Sequence, residues 1–299
     1  MRDPAGQNLV LAHGPYRAEV VTVGAGLRSL SYDGRPLLAG YPAGQVCPDY
    51  RGWVLMPWPN RVGDGAYEFG GRRLRLPLTE PERGNALHGL AGWVEWTLAH
   101  HDDTHASLRL ALVPQAGYPF PLDLAVDYEL TDTGLRVTLA ATNAGPTAAP
   151  YGTGHHPYFT FDRPVDELTL QIPATTWCPM DERGLARPAQ PVAGTAYDFR
   201  EGRLVGDAVI DHPFGGLTDR VVTITDPEGR AVTLTLDDGF GWVHVFTSDT
   251  HDPPRRSLAV EPTTCPPDAF RTGVDLVVLE PGETHRASFT VAGGCVLSR

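Results

Sequence analysis

Apolar and polar residues alternate along much of this chain with the two-residue period of half-buried β-strands. Glycine, aspartate and proline separate the alternating segments, and residues 131–134 (TDTG) and 226–229 (DPEG) are typical of hairpin turns. No segment has a sustained helical period with capping residues at its ends. The pattern therefore predicts an all-β protein, with strands at 17–23, 27–32, 106–113, 122–130, 135–142, 221–225, 231–236 and 285–291.

The turn-rich composition favours a large antiparallel β-sandwich. The sequence holds 33 glycines and 28 prolines, which suit turns and strand edges. It shows no internal repeat, low-complexity tract or Ser/Gly linker, so we expect residues 1–299 to form a single domain. A β structure of this size usually packs two sheets face to face. We expect the loops that interrupt the strand pattern to meet at one open face; they are 53–64, 80–93, 150–162, the region near 207–216, and 260–272.

Composition narrows the partners and the compartment. The 299 residues are 41% hydrophobic and 20% charged, which is ordinary for a globular protein. The net charge of −12 argues against nucleic acid and anionic membrane as general partners, because both bind basic surface. No stretch approaches the roughly eighteen apolar residues of a membrane helix, and residues 1–20 lack the apolar core of a signal peptide. With four cysteines far apart and no CxxC, we expect free, mostly buried thiols and a cytoplasmic protein.

Two short segments carry candidate proton-transfer groups. The first, GTGHHPYFTF at 152–161, contains His155 and His156; side chains of adjacent extended residues point to opposite sides, so at most one should face a given pocket. The second, VEPTTCPPDAF at 260–270, places Glu261 at the end of an apolar strand, where partial burial would raise its pKa. The alternatives are loop histidines or a metal site for the first segment and a surface carboxylate for the second. Adjacent histidines seldom supply two ligands to one ion, which disfavours the metal.

Three further segments offer groups suited to sugar hydroxyls. Asn60 and Arg61 follow two prolines that fix the approach of the chain, and arginine has five donors in a planar fork. His88 stands among small residues, with Trp93 as an apolar face for a ring. Asp211 lies in a turn-like stretch and could accept hydrogen bonds. Each has a structural alternative: an arginine bonded to loop carbonyls, a half-buried histidine bonded to a carbonyl, and an Asx turn or cap.

The stretch HHDDTH at 100–105 resembles a metal-binding tract, but it lies between strand-like runs at 93–98 and 106–113. A polar hairpin tip explains its composition. We therefore expect no metal site in this protein.

Taken together, the motifs resemble those of the aldose 1-epimerases, also called mutarotases. Their order along the chain matches the family, and the match covers almost the whole chain, whereas any one motif alone would be weak. The resemblance implies a large antiparallel β-sandwich of the galactose mutarotase-like type (a supersandwich), in agreement with the strand pattern. The matching motifs are Asn60-Arg61, Leu87-His88-Gly89, His156 with Tyr158-Phe159, Asp211 with Phe214, and Glu261 with Pro267-Asp268-Ala269.

The resemblance also implies roles for individual residues. Glu261 matches the family's catalytic base, His156 its catalytic acid, and His88 a second active-site histidine. Arg61 and Asp211 match residues that bind substrate hydroxyls or the ring oxygen.

Asn60 and Tyr158 complete the expected substrate-binding set.

The chain departs from the family's pattern at two positions. His155 stands where many members have asparagine, and Thr263 replaces the glutamine of a frequent Glu-x-Gln motif. The second departure bears on sugar specificity more than on the chemistry.

The implied reaction interconverts the α and β anomers of a hexose or related aldose. Ionised Glu261 takes the proton of the anomeric hydroxyl while protonated His156 gives one to the ring oxygen, so that the C1–O5 bond breaks. Rotation about C1–C2 precedes closure to the other anomer, and the two pKa values must bracket the working pH. No hydride moves and no bond to the enzyme forms, so no cofactor is expected. The expected partner is a small-molecule sugar, and the expected assembly is a monomer or homodimer.

Three other functions stay open at this point. A mutarotase for a phosphorylated or sulfonated hexose would need an anion site, for which Arg61, Arg72, Arg73 and Arg83 are candidates. A non-catalytic carbohydrate-binding protein on the same fold would need neither proton-transfer group. A glycoside hydrolase would use two carboxylates at a fixed separation, and Asp211 and Glu261 could take those places.

Overall fold

Two large antiparallel sheets face each other in this structure, a computed structural model that describes residues 3–295. Within that range one sheet has nine strands, and the other has eight, seven along its main path and a further short strand paired at its side. The inner faces of both sheets contribute to one continuous hydrophobic core. The predicted all-β antiparallel sandwich is therefore confirmed.

Most strands in the described part of the chain are short. The nine-stranded sheet has the order β10-β11-β12-β13-β27-β23-β22-β17-β20 and the eight-stranded sheet β19-β18-β21-β24-β25-β15-β5, with β16 also paired to β25. A four-stranded sheet, β1-β2-β3-β4, and the pairs β14-β26, β6-β9 and β7-β8 complete the fold. The strands are β1 (Asn8–His13), β2 (Tyr16–Val21), β3 (Gly26–Tyr32), β4 (Arg35–Pro36), β5 (Val54–Leu55), β6 (Arg61–Gly63), β7 (Ala66–Phe69), β8 (Arg72–Arg75), β9 (Asn85–Leu87), β10 (Thr97–His101), β11 (His105–Leu112), β12 (Leu122–Thr131), β13 (Gly134–Asn143), β14 (Ala149–Tyr151), β15 (Gly154–His155), β16 (Tyr158–Phe159), β17 (Thr169–Gln171), β18 (Ala174–Trp177), β19 (Gln190–Pro191), β20 (Arg203–Leu204), β21 (Asp211–Leu217), β22 (Val221–Thr225), β23 (Arg230–Leu236), β24 (Trp242–Phe246), β25 (Leu258–Thr263), β26 (Val277–Leu279) and β27 (Thr284–Cys295).

The predicted hairpins lie where the turn residues indicate them. β12 and β13 pair on either side of the turn at 131–134, and β22 and β23 pair on either side of 226–229. The histidine-rich stretch at 100–105 is also a hairpin tip, between β10 and β11. There the backbone N–H groups of Thr104 and His105 donate to the Asp102 carboxylate at 2.8 and 2.9 Å. Short-range turn chemistry therefore determined these three connections.

Two single helical turns interrupt the predicted all-β pattern in the described residues. Val165–Glu167 forms a 3₁₀ turn, and Ala269–Thr272 forms a single turn of α-helix, α1. Elements of three or four residues are too short to show a 3.6-residue period, so the sequence pattern could not reveal them. Among residues 3–295 no helix is long and apolar enough to cross a membrane.

Asp211 was expected in a turn, but it is the first residue of strand β21. Its register partner is Phe246 of β24, which lies far away in the sequence. Tertiary pairing therefore overrides a local composition, DHPF, that favours turns. The four cysteines are free; Cys47, Cys178 and Cys265 are buried and Cys295 is exposed.

Large side chains connect the two sheets across the core. Tyr128 of β12 and Phe289 of β27 belong to the nine-stranded sheet, and His155 of β15 reaches both from the opposite sheet, with ring centroids 6.2 and 5.1 Å away. The Tyr128 hydroxyl donates to the Ala25 carbonyl at 2.5 Å. This continuous core is consistent with one domain across residues 1–299, which stays a prediction.

We expect Val137→Ala to destabilise the protein by about 2–3 kcal/mol, because two buried methyl groups and their packing are lost. Val137 lies in the middle of β13 and is 0% exposed. Val113→Ala is the matched control, since Val113 is 65% exposed and the same substitution there should change stability by less than about 0.5 kcal/mol. Urea unfolding followed by tryptophan fluorescence measures both; equal effects would contradict the packing described above.

Candidate active site

One pocket of about 470 Å³ opens where the interrupting segments meet. All five segments contribute to its wall, as expected. The structure also brings all seven predicted site residues to this wall, although their roles stay predictions. The lining residues are Asp49, Tyr50, Asn60, Arg61, Thr79, Glu80, Glu82, Arg83, Leu87, His88, His156, Tyr158, Asp211, His244, Phe246, Thr250, His251 and Glu261.

Strand register places His156 directly beside Glu261. β15 pairs with β25 through Gly154 and Thr263, and β16 pairs with β25 through Tyr158 and Ala259. Residues directly opposite in antiparallel strands present their side chains on the same face, and this register puts His156 opposite Glu261. Their Nε2 and Oε1 atoms lie 3.4 Å apart, with both side chains at most 6% exposed. The two candidate proton-transfer groups, about a hundred residues apart in sequence, therefore form one buried pair.

Burial determines where this pair keeps its proton. It lowers the pKa of His156 to about 3, and the charges of His244 and His155 act in the same direction. Burial also raises the pKa of Glu261 well above its ordinary value; the Asp211 charge adds to this, and Arg61 opposes it. Glu261 lies inside β25 rather than at a strand end as expected, and the raised pKa that was expected from burial is found there. These opposite shifts favour the proton on the Glu261 carboxyl group, beside a neutral His156 imidazole.

His88 is held as a neutral donor. The backbone N–H of Asn60 donates to His88 Nδ1 at 3.2 Å, so the ring proton lies on Nε2. Burial, with the charge of His156 as the next cause, lowers the pKa of His88 well below its ordinary value. Its backbone has φ of 59°, and Gly89 follows with φ of 78° where a Cβ would lie 2.0 Å from the Met56 carbonyl oxygen. The Leu-His-Gly motif thus needs its glycine, because any side chain at this position would clash with the Met56 carbonyl group and strain the backbone.

Arg61 is paired with a carboxylate that the sequence did not single out. Its Nε and Nη2 donate to the two oxygens of Glu80 at 2.9 and 3.0 Å, and both side chains are nearly buried. Burial is the largest single influence and lowers the pKa of Arg61, but the hydrogen bonds to Glu80 and the nearby carboxylate charges together outweigh it and raise this pKa. Asn85 also donates to Glu80, at 2.8 Å. Asn60 Oδ1 accepts the backbone N–H of Arg61 at 2.9 Å, so its side chain orders the loop. The arginine faces the pocket as half of a fixed ion pair rather than as a free cation.

Asp211 is held by a histidine of the neighbouring strand. His244 Nε2 donates to Asp211 Oδ1 at 2.8 Å. Burial alone would raise the pKa of Asp211, but the hydrogen bond and charge of His244 lower it to about 2. The carboxylate is therefore ionised while it lines the pocket, and this fixes a negative charge close to Glu261.

Two tyrosines lie against the histidines. Tyr158 stacks on His156 with ring centroids 4.8 Å apart and planes 15° apart, and Arg51 lies 5.3 Å from the tyrosine centroid. Tyr50 lies 4.7 Å from His88 and 6.5 Å from His156 by ring centroids. The tyrosine rings restrict the orientation of both histidines and give the pocket its apolar surfaces.

His155 lies outside the pocket. It is fully buried on the opposite side of the strand from His156, with Nε2 3.2 Å from the Tyr128 hydroxyl. Burial lowers its pKa to about 3, so it is a neutral core residue. As expected, only one of the two adjacent histidines faces the pocket. His155 is part of the core that joins the two sheets.

Sequence reasoning missed Tyr50, Glu80, His244 and His251 of the pocket wall. Glu80 lies within the 80–93 segment that was expected near the site, but nothing in its neighbours marks it as a partner of Arg61. His244 lies in an apolar run, WVHVF, where a lone polar residue is the only available signal. Tyr50 lies at a positive φ of 59°, a backbone feature that sequence does not reveal at a non-glycine residue.

Taken together, the fold and the pocket define a β-sandwich protein with a buried histidine–glutamate pair. A model of the aldose 1-epimerase family matches residues 7–292. The chain belongs to the aldose 1-epimerase family.

Several relatives and solved structures resemble this chain over most of its length. The uncharacterized protein YihR of Escherichia coli (strain K12) is 38% identical over 292 residues, covering 97% of this chain and 94% of that protein. A maltose epimerase of Levilactobacillus brevis is 25% identical, covering 87% and 83%. The crystal structure of a galactose 1-epimerase from Lactobacillus acidophilus NCFM has a TM-score of 0.82 at 22% identity, covering 96% and 94%. A GalM/aldose epimerase homologue from C. elegans has a TM-score of 0.87 at 18% identity, covering 97% and 99%; at these identities the two structures show the shared fold.

We expect His155 to stay neutral from pH 8 down to pH 5, because burial lowers its pKa to about 3, and we expect His88 to be neutral at pH 7, because burial lowers its pKa well below the ordinary value. Long-range ¹H–¹⁵N correlation spectra would show unchanged ring nitrogen shifts for His155, and for His88 the neutral Nε2–H tautomer at pH 7. The variants His88→Asn and His155→Asn assign the signals, and free histidine added to the sample reports the titration itself. A His155 ring that takes up a proton above pH 5, or a His88 ring that is protonated at pH 7, would contradict the assigned environment.

Proposed function

We propose that this protein is an aldose 1-epimerase that interconverts the α and β anomers of a neutral aldose. The observation that carries the proposal is the His156–Glu261 pair, 3.4 Å apart in a pocket lined by hydroxyl-binding groups. Family membership supports it, and relatives include proteins named maltose epimerase and galactose 1-epimerase. A non-catalytic sugar-binding protein would have no use for this pair, because a buried carboxyl group beside an imidazole costs stability.

Ring opening follows from one proton carried by the pair. As the sugar binds, the proton moves from Glu261 to His156, which creates a carboxylate beside an imidazolium. The carboxylate then takes the proton of the anomeric hydroxyl, the imidazolium gives its proton to the ring oxygen, and the C1–O5 bond breaks. Rotation about C1–C2 exposes the other carbonyl face, and the reverse transfers close the opposite anomer.

The charge preference of the pocket assists this sequence. After ring opening Glu261 is again protonated and His156 is again neutral, which is the state that burial favours in the empty site. The pocket thus stabilises the pair that accompanies the open-chain aldehyde, the less stable form of the sugar. Proton positions balance at every step, and the protein ends as it began.

The other residues orient the sugar. His88 donates from Nε2 towards the ring or anomeric oxygen, and Arg61 offers its remaining N–H groups from the ion pair with Glu80. Asp211 accepts hydroxyl protons as a carboxylate, and Asn60 orders the loop that carries Arg61. Tyr158 supports His156 by stacking.

A mutarotase for a phosphorylated or sulfonated hexose is the second candidate. Arg83 favours it, because its guanidinium lines the pocket, is 40% exposed and lies 3.8 Å from Glu80. The wall nevertheless contains five carboxyl groups against two arginines, and both arginines form ion pairs with Glu80. This balance favours a neutral sugar. The carboxyl groups belong to Asp49, Glu80, Glu82, Asp211 and Glu261.

Polarimetry on freshly dissolved α-anomers tests the function directly. The panel contains glucose, galactose, maltose and glucose 6-phosphate, each measured with and without protein. Faster approach to equilibrium with at least one neutral sugar is the expected result. Acceleration of the phosphate alone would establish the second candidate, and equal rates with and without protein for every sugar would end the enzyme hypothesis.

We expect Glu261→Gln and His156→Asn each to lower kcat by about 10²–10⁴-fold, the usual size of one positioned proton transfer. Glu129→Gln and His101→Asn are matched controls on exposed parts of β12 and β10, and these should keep full activity. Circular dichroism and thermal unfolding verify that each variant folds. Full activity in either pocket variant would remove that residue from its proposed role.

We expect kcat/KM to have a bell-shaped pH dependence. A second proton on the pair would abolish the base, so activity rises with pH as that proton leaves, near the His156 pKa of about 3. Loss of the only proton would abolish the acid, so activity falls above the raised pKa of Glu261. Asp211→Asn removes a charge that raises this pKa, and the alkaline fall should therefore move to lower pH. The shift is measured from mutarotation rates at each pH, corrected for the spontaneous reaction. If the alkaline fall of kcat/KM stays in place or moves to higher pH in Asp211→Asn, Glu261 does not carry the proton that is lost there.

A further inference from the structure

His244 belongs to the same row of side chains as the proton-transfer pair. Strand β24 pairs with β25 so that His244 lies directly opposite Glu261, and His156 lies opposite Glu261 on the other side. Three side chains from neighbouring strands therefore point into one pocket from one face of the sheet. His244 is 2% exposed, so its position is determined by packing rather than by solvent.

Asp211 is the neighbour to which His244 is bonded. Pro213 of β21 is the register partner of His244, so Asp211, two residues earlier, lies diagonally across from the histidine on the same face. Because the Asp211 carboxylate is ionised, the proton of the 2.8 Å hydrogen bond resides on His244 Nε2. Within residues 3–295 this bond uses Oδ1 only, and 38% of the aspartate side chain remains exposed at the pocket.

We propose that His244 is a positioning residue that fixes Asp211 so that its free oxygen, Oδ2, accepts one sugar hydroxyl of defined configuration. The proposal rests on the proposed function, because that function identifies the ligand as an aldose. A carboxylate bonded through one oxygen cannot rotate freely, so the second oxygen has a single direction. A sugar with the opposite configuration at the contacted carbon leaves Oδ2 unpaired. A hydrogen bond to a charged group corresponds to a difference of about ten- to hundredfold in affinity.

Two substitutions separate positioning from packing. His244→Phe fills a similar volume and removes the donor, which releases the carboxylate. His244→Gln keeps an N–H donor at about the distance of Nε2, so it should restore the bond. A residue that only filled space would tolerate phenylalanine better than glutamine.

Sugar binding by calorimetry, together with polarimetric kcat and KM, tests the inference on glucose and its single epimers mannose, allose and galactose. For the preferred sugar, His244→Phe should raise Kd and KM about ten- to hundredfold while changing kcat much less. It should also reduce the preference over the epimer at one carbon, C2, C3 or C4. His244→Gln should retain the wild-type preference within a few-fold. Asp211→Asn should lose discrimination at the same carbon.

Several outcomes would overturn the inference. The first is an unchanged Kd of His244→Phe for the preferred sugar, and the second is an equal loss of affinity for every epimer. The third is an Asp211→Asn variant that still discriminates between the epimers. If His244→Phe does not fold, the Asp211→Asn variant decides. Wild-type protein that binds aldoses without accelerating mutarotation would refute the proposed function, while the Kd values still decide the role of His244. Wild-type protein that binds none of these sugars would refute both.

Discussion

The pocket depends on one proton held between an imidazole and a carboxyl group away from water. Glu261 lies within β25, with His156 on one side and His244 on the other, and all three side chains are nearly fully buried. Such surroundings disfavour charge on either member of the pair, so the proton settles on the carboxyl group. The two atoms of the pair, His156 Nε2 and Glu261 Oε1, lie 3.4 Å apart.

Arg61 and Asp211, two charged groups of the pocket wall, are each held by a partner. Arg61 is bonded to Glu80 through both oxygens, and Asp211 is bonded to His244. An unpaired charge at these depths would be strongly destabilising, whereas a paired one keeps its orientation and its ionisation. The same pairs determine the field at Glu261, because Asp211 raises its pKa and Arg61 lowers it. The ionisation of Asp211 and Arg61 and the proton affinity of Glu261 are therefore coupled.

The loops of the site use backbone conformations that ordinary residues rarely adopt. Asn60 and His88 have φ of 56° and 59°, and Tyr50 has φ of 59°. Such conformations cost energy and persist where surrounding contacts determine them. Here Asn60 and His88 exchange backbone and ring hydrogen bonds, at 2.9 and 3.2 Å, so each holds the other. This mutual support places the His88 ring, neutral and with a known tautomer, beside His156.

Much of this protein was determined by local sequence. Alternation and turn residues predicted the hairpins of β12–β13 and β22–β23, and the motif order predicted all seven residues that the pocket brings together. Turn chemistry and strand alternation act over a few residues, so a single sequence records them.

Only the tertiary structure decided the partners. Glu80 beside Arg61, His244 beside Asp211, the strand state of Asp211 and the core position of His155 all depend on register between distant strands. The site of the proton was decided in the same way, because the pKa of a carboxyl group follows from burial and neighbouring charges rather than from its place in a motif. The sequence by itself determined which groups are present; the packing of two sheets decided which of them meet, and with what charge.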